Sequence, residues 1–123
     1  MNPEELYEPT SPLAHKQPEE LSEAEKVAAL NAHPRIGAPA TQLSAHSRRE
    51  QGREADAMVE RELARLNDEY ERKFGFRFVV FVNGRPRSEI LEVLRQRLRR
   101  SREEEMREGL AAIIAIAKDR ARR

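Results

Sequence analysis

The sequence predicts an all-α fold: a single compact helical domain with a buried extended aromatic segment around residues 74–82. Three observations carry this. Leu63, Leu66, Tyr70 and Phe74 recur at three-to-four spacing, the period of one helix face. Ser22 and Glu25, and again Ser101 and Glu104, have the spacing of a capping box, in which Ser caps the helix start and Glu bonds back. The most β-prone stretch, residues 74–82, holds four of the six aromatics. Asn83-Gly84 could close a hairpin after it, but Pro86 and a capping Ser88 leave no room for a second strand.

Residues 1–20 hold four of the seven prolines and are expected to form a poorly ordered arm, with the helical domain over 21–123. The first helix starts at Ser22 and ends before Pro34, with Val27, Ala28, Leu30 and Ala32 as its apolar face. A loop containing Gly37, Pro39 and Thr41 follows. A long helix is expected over about 45–73. The next starts at Ser88 and turns Ile90, Leu91, Leu94 and Leu98 inward. The last buries Met106, Leu110, Ile113, Ile114 and Ala117.

Composition narrows the function classes. One domain is expected from 123 residues. Charged residues make up 37% while the net charge is only +1, which does not favour a purely electrostatic nucleic-acid binder. Arginine outnumbers lysine, 19 to 4. Without cysteine there is no disulfide or thiolate chemistry. No apolar run is long enough to span a membrane, and the start lacks a signal-peptide pattern. A cytoplasmic protein is the expectation. His15, His33 and His46 lack metal-ligand spacing, so no metal site is expected, and His15 and His46 read as ordinary surface residues.

Two short runs carry chemistry. His33-Pro34-Arg35-Ile36-Gly37 joins an imidazole to a rigid turn. In Ser47-Arg48-Arg49-Glu50-Gln51, residues 47, 50 and 51 share one helix face, and Arg48 and Arg49 point elsewhere. An imidazole beside a Ser/Glu/Gln face suits acid–base work on a small polar molecule. Both runs have plainer readings: His-Pro ends helices, and Ser47 with Glu50 fits a capping box. Arg120 continues the apolar face of the last helix. Aimed inward it needs an anionic or carbonyl partner; otherwise it frays into water or complements the helix dipole.

These runs, with Leu43-Ser44, then Leu66-Asn67, Tyr70, Lys73-Phe74-Gly75-Phe76 and Phe78, then Arg97-Leu98, Glu105, Ile116 and Arg120, resemble the OHCU decarboxylase family over residues 22–121. That family decarboxylates 2-oxo-4-hydroxy-4-carboxy-5-ureidoimidazoline to (S)-allantoin in urate breakdown. The resemblance implies a carboxy-lyase needing neither cofactor nor metal, because the substrate's own ring C=N accepts the electrons released with carbon dioxide. It makes His33 the proton donor and Glu50 its catalytic companion. Substrate contact is implied for Pro34, for the run Ser47, Arg48, Arg49, Glu50 and Gln51, for Phe78, Val79, Val80, Phe81 and Val82 through their backbone groups, and for Arg120.

Typical members carry further helices before the His-Pro motif, where this chain has its short proline-rich arm. The shortening leads to the expectation of an uncovered apolar surface, and hence of a homodimer or of marginal stability as a monomer. The expected partner is a small-molecule substrate, with neither nucleic acid nor membrane. Two rival readings are a helical binding homologue without turnover and a nucleic-acid module using Arg97, Arg99, Arg100 and Arg102. Glu103, Glu104 and Glu105 stand directly against the second.

Overall fold

The computed structural model describes residues 6–36 and 54–122. Among them are two short 3-10 turns, Pro12–Ala14 and Pro18–Glu20, and four helices: α1 (Glu23–Ala32), α2 (Glu54–Phe74), α3 (Arg87–Arg97) and α4 (Arg102–Ala121). No strand occurs among the described residues, and the chain runs extended between α2 and α3.

Over residues 6–20 the proline-rich start is packed, where the sequence suggested a loose arm. Proline fixes φ and lacks an N–H, which suits it to the first position of a tight turn. Ser11 caps the first such turn, its Oγ accepting from the Leu13 N–H at 3.2 Å. Leu13, Ala14 and Leu21 are all buried. Pro12 therefore opens a turn that carries Leu13 and Ala14 into the core.

Helix α1 begins as expected. Ser22 and Glu25 form the reciprocal capping box, and Lys16 adds an ion pair to Glu25 at 2.8 Å. The helix ends at His33, whose backbone is extended (φ −77°, ψ 142°) because a residue before proline is driven out of the helical region. Its inward face differs by one position from the expected one: Ala29 and Leu30 are buried and Ala28 is exposed. The cause is contact with α4, against which α1 packs. Gly109 lets that contact close, since a Cβ there would stand 2.6 Å from the buried Leu30 Cδ2.

The stripe of α2 is buried as its spacing implies: Leu63, Leu66, Tyr70 and Phe74. The expected start of this helix, near residue 45, lies outside the described residues. Its end is set by Gly75, which adopts φ 82° and donates its N–H to the Glu71 carbonyl at 2.9 Å. The segment after it packs Phe76, Phe78 and Val79 into the core. Tyr70 is the hub, with ring centroids 4.5 Å from Phe74, 6.1 Å from Phe76 and 5.3 Å from Phe78.

Asn83 (φ 48°) and Gly84 (φ 76°) then reverse the chain, with the Arg85 N–H donating to the Val82 carbonyl at 3.0 Å. This is the turn chemistry of a hairpin, used to enter a helix. Helix α3 starts one residue earlier than expected, with Pro86 as its cap and Ser88 inside its first turn. It packs along α2. Helix α4 opens with the Ser101–Glu104 capping box. Its buried residues include Met106, Ile113 and Ala117, while Leu110 and Ile114 are only partly covered.

A buried polar cluster joins these layers. Glu105 is fully buried, and its Oε1 accepts from Tyr70 Oη and from Arg97 Nε, each at 2.7 Å. Arg97 also donates through Nη1 to the Val79 carbonyl at 2.7 Å and lies over the Phe78 ring, 4.7 Å from its centroid. A carboxylate this deep persists only if paired and hydrogen-bonded. Burial, and then the bond to Glu105, push the Tyr70 hydroxyl pKa well above its ordinary value.

Arg97 is thus internal. Arg100 pairs with Glu104 and Glu105, and Arg102 with Glu23. Three of the four arginines offered as a basic face are engaged with the protein's own carboxylates. Among the described residues Met58 is the large apolar side chain that stands exposed, at 65%, while Leu13 of the N-terminal segment is buried in the core.

Candidate active site

The loop after α1 is strapped to α2 from two sides. Asn67, fully buried, donates through Nδ2 to the Ile36 carbonyl at 3.1 Å and to the Leu63 carbonyl at 2.8 Å. Arg35 reaches the Ala64 carbonyl at 3.3 Å and pairs with Asp68 at 2.5 Å and Glu71 at 3.4 Å. Arg77, from the extended segment, donates to the His33 carbonyl at 2.8 Å, and its own N–H bonds Asn31 Oδ1 at 2.9 Å. His33 is thereby fixed in backbone position by α1, α2 and the extended segment together.

A cavity of about 650 Å³ opens beside it. His33 and Pro34 form one wall, Phe78, Val79, Val80, Phe81 and Val82 the floor, and Ile116, Asp119 and Arg120 the far wall. Residues remote in sequence therefore meet: the start of the His-Pro motif, the aromatic segment and the end of α4. The two readings of His33-Pro34 are compatible, because the pair ends α1 and in ending it presents the imidazole to the cavity.

The sequence-derived site residues divide into two groups. His33, Pro34, Phe78, Val79, Val80, Phe81, Val82 and Arg120 line the one cavity. Ser47, Arg48, Arg49, Glu50 and Gln51 lie outside the described residues. Among the described residues there is no cluster of three or more side chains suited to hold a metal ion.

The floor's backbone is partly committed. The Val79 carbonyl accepts from Arg97, and the Phe81 and Val82 carbonyls accept from Arg85 at 2.5 and 3.1 Å. Arg120 has found the carbonyl and anionic partners that its inward position demanded: Nη1 donates to the Leu6 carbonyl at 2.7 Å, and Nη2 stands 3.5 Å from Glu8 Oε1.

His33 is partly buried, and burial is the main influence lowering its pKa. Glu8 acts in the opposite direction, while Arg120 and Arg77 lower it further. Sequence reasoning missed Leu6, Glu8 and Asp119. The first two fell in the arm set aside for its prolines. The usable signal was Ser11-Pro12 followed by Leu13, a capped turn with an apolar anchor, which places the preceding residues against the body.

With this geometry in view, comparison with known proteins is decisive. The model of the family described as OHCU decarboxylase matches residues 7–122. The chain belongs to that family. The match includes the arm, from Tyr7 onward. Among relatives, the uric acid degradation bifunctional protein PucL of Bacillus subtilis (strain 168) is 35% identical over 95 residues, 74% of this chain and 19% of that protein. The uric acid degradation bifunctional protein of Bacillus sp. (strain TB-90) is 30% identical over 102 residues, 80% of this chain and 20% of that protein. The chain thus spans about a fifth of these relatives' length. A solved crystal structure of OHCU decarboxylase in the presence of (S)-allantoin superposes with a TM-score of 0.69 at 26% identity, covering 82% of this chain and 68% of that one.

Proposed function

We propose that this protein decarboxylates 2-oxo-4-hydroxy-4-carboxy-5-ureidoimidazoline to (S)-allantoin, in urate catabolism. The observation that carries the reading is the meeting of His33, Arg120 and the 78–82 floor around one cavity, in a chain of this family. The cavity's size is in the range of small-molecule sites.

The chemistry asks little of the protein beyond placement and one proton. The bond to the carboxylate carbon breaks, carbon dioxide leaves, and the electron pair enters the adjacent ring C=N. A proton then reaches the ring carbon from one face, which sets the stereocentre. Because the substrate is its own electron sink, the reading calls for no cofactor. The guanidinium of Arg120 offers a planar fork to a carbonyl or carboxylate oxygen. Since three floor carbonyls already accept from arginines, the floor's remaining backbone groups are the ones that would meet ring and ureido atoms. His33 supplies the proton, and Glu50 assists it. Burial favours a neutral imidazole in the empty site; an anionic substrate brings the charge that restores its proton.

The reading places the protein in the cytoplasm with the rest of a purine-catabolic route. No helix among the described residues is long and apolar enough to cross a membrane. The homodimer expected from sequence is tested by sedimentation at micromolar concentration, where twice the monomer mass would support it. Supplying freshly generated substrate to the purified chain and following circular dichroism tests the function. Accumulation of (S)-allantoin above the uncatalysed rate supports the proposal. Racemic product at background rate, from folded protein, would leave a binding protein without turnover.

A further inference from the structure

The N-terminal segment bonds Arg120 through the Leu6 carbonyl and Glu8, and it shares a recess with His33. A small recess behind the main cavity is walled by Leu6, Glu8, Ser11 and Ile113 together with His33 and Arg120. His33 and Arg120 therefore have the substrate cavity on one side and the arm on the other. The arm's place there is built. Leu13 is buried, Ser11 is buried and caps the turn, and the Ser11 N–H donates to the Glu8 carbonyl at 2.9 Å.

We propose that Glu8 is a positioning residue of this site: its carboxylate, with the Leu6 carbonyl, holds the Arg120 guanidinium at the cavity wall and sets a negative charge opposite His33. The inference rests on the reading of His33 and Arg120 as the decarboxylation pair. It changes the status of the arm from a cover over the core to a part of the site.

The charges around His33 show why such a group is needed. Arg77 faces it from the extended segment and Arg120 from α4, with Asp119 beside Arg120 in the same cavity wall. Both arginines oppose protonation of the imidazole, and burial opposes it more. Arg35, two residues on, is directed at Asp68 and Glu71. Glu8 is the carboxylate whose field favours the protonated ring. It also acts on Arg120, whose long side chain would otherwise have many rotamers to choose from. Fixing the fork before substrate arrives lowers the entropy lost on binding.

The test uses the full chain with Glu8→Gln, which keeps shape and removes charge, and Glu8→Asp, which keeps charge. The His33 imidazole is titrated by NMR, assigned by its absence in His33→Asn, and steady-state kinetics are measured alongside. The proposal expects the His33 midpoint to move to lower pH in Glu8→Gln and to return toward the parent value in Glu8→Asp. It also expects KM to rise about fivefold in Glu8→Gln, with the melting temperature nearly unchanged. An unmoved midpoint would overturn it, as would Gln and Asp variants that behave alike. Unfolding of Glu8→Gln would overturn it too, by assigning the residue to stability. The titration needs no turnover, so the two readings fail separately. A shifted midpoint in a protein that makes no allantoin removes the decarboxylase and leaves the placement of Glu8. Turnover with an unshifted midpoint does the reverse.

Discussion

Glu105→Ala should be among the most damaging single changes in this chain, although it touches no part of the cavity wall. The substitution removes the acceptor of two 2.7 Å bonds, from Tyr70 Oη and Arg97 Nε. It leaves a guanidinium that is 5% exposed with no carboxylate beside it. Breaking a buried pair by removing one partner costs about 3–5 kcal/mol, because the remaining charge is uncompensated. With a total stability of about 5–15 kcal/mol for a domain, that is a large share. At an m of about 2 kcal/mol/M, the urea midpoint should fall by about 2 M. Tyr70→Phe removes only the hydroxyl and should cost about 1–2 kcal/mol. Glu105→Gln should fall between the two, since it keeps an acceptor but loses charge. Because Tyr70 and Glu105 share a bond, the double variant should be less damaged than the sum of the singles, by about 0.5–3 kcal/mol. Urea unfolding followed by far-UV circular dichroism measures all four. A cost below about 1 kcal/mol for Glu105→Ala, or strict additivity with Tyr70→Phe, would refute the cluster as the tie between α2, α3, α4 and the cavity floor.

Three further outcomes follow from the site. Arg120→Ala should lower kcat/KM by about 10–100-fold, measured in the stereoselective turnover assay, because it leaves an anionic substrate group without its charge-assisted bonds. Asn67→Leu should cost about 1–3 kcal/mol in urea unfolding and lower turnover as well, since it releases the Ile36 carbonyl and with it the loop that carries His33. The His33 resonance should titrate below the ordinary histidine range in the empty protein, and its midpoint should rise when a carboxylate analogue of the substrate is added. A midpoint indifferent to the analogue would separate His33 from the bound anion.

What was legible in the sequence was local. The two capping boxes need only serine and glutamate three residues apart, and both formed. The α2 stripe needs only a period. His33-Pro34 was legible because proline constrains the residue before it, and that constraint is what turns the imidazole outward from α1. What escaped depends on partners distant in the chain. Asn67, Arg97 and Glu105 stood in the sequence only as positions of the resemblance, and their bonds to Ile36, Val79 and Tyr70 could not be read from it. The shift from Ala28 to Ala29 on α1 reflects where α4 lies, which no helical period encodes. Over residues 6–20, proline content alone did not distinguish a loose segment from a chain of tight turns anchored by Leu13.

The most direct test of the central claim is the enantiomeric composition of allantoin made by the parent protein and by His33→Asn. Asparagine keeps polarity and much of the shape but cannot deliver a proton as an imidazolium does. The account predicts an excess of (S)-allantoin from the parent. It predicts a rate about 10²–10⁴-fold lower from His33→Asn, with product drifting toward the racemate as the uncatalysed route takes over. A folded His33→Asn that still yields (S)-allantoin at the parent rate would contradict the assignment of the proton to His33.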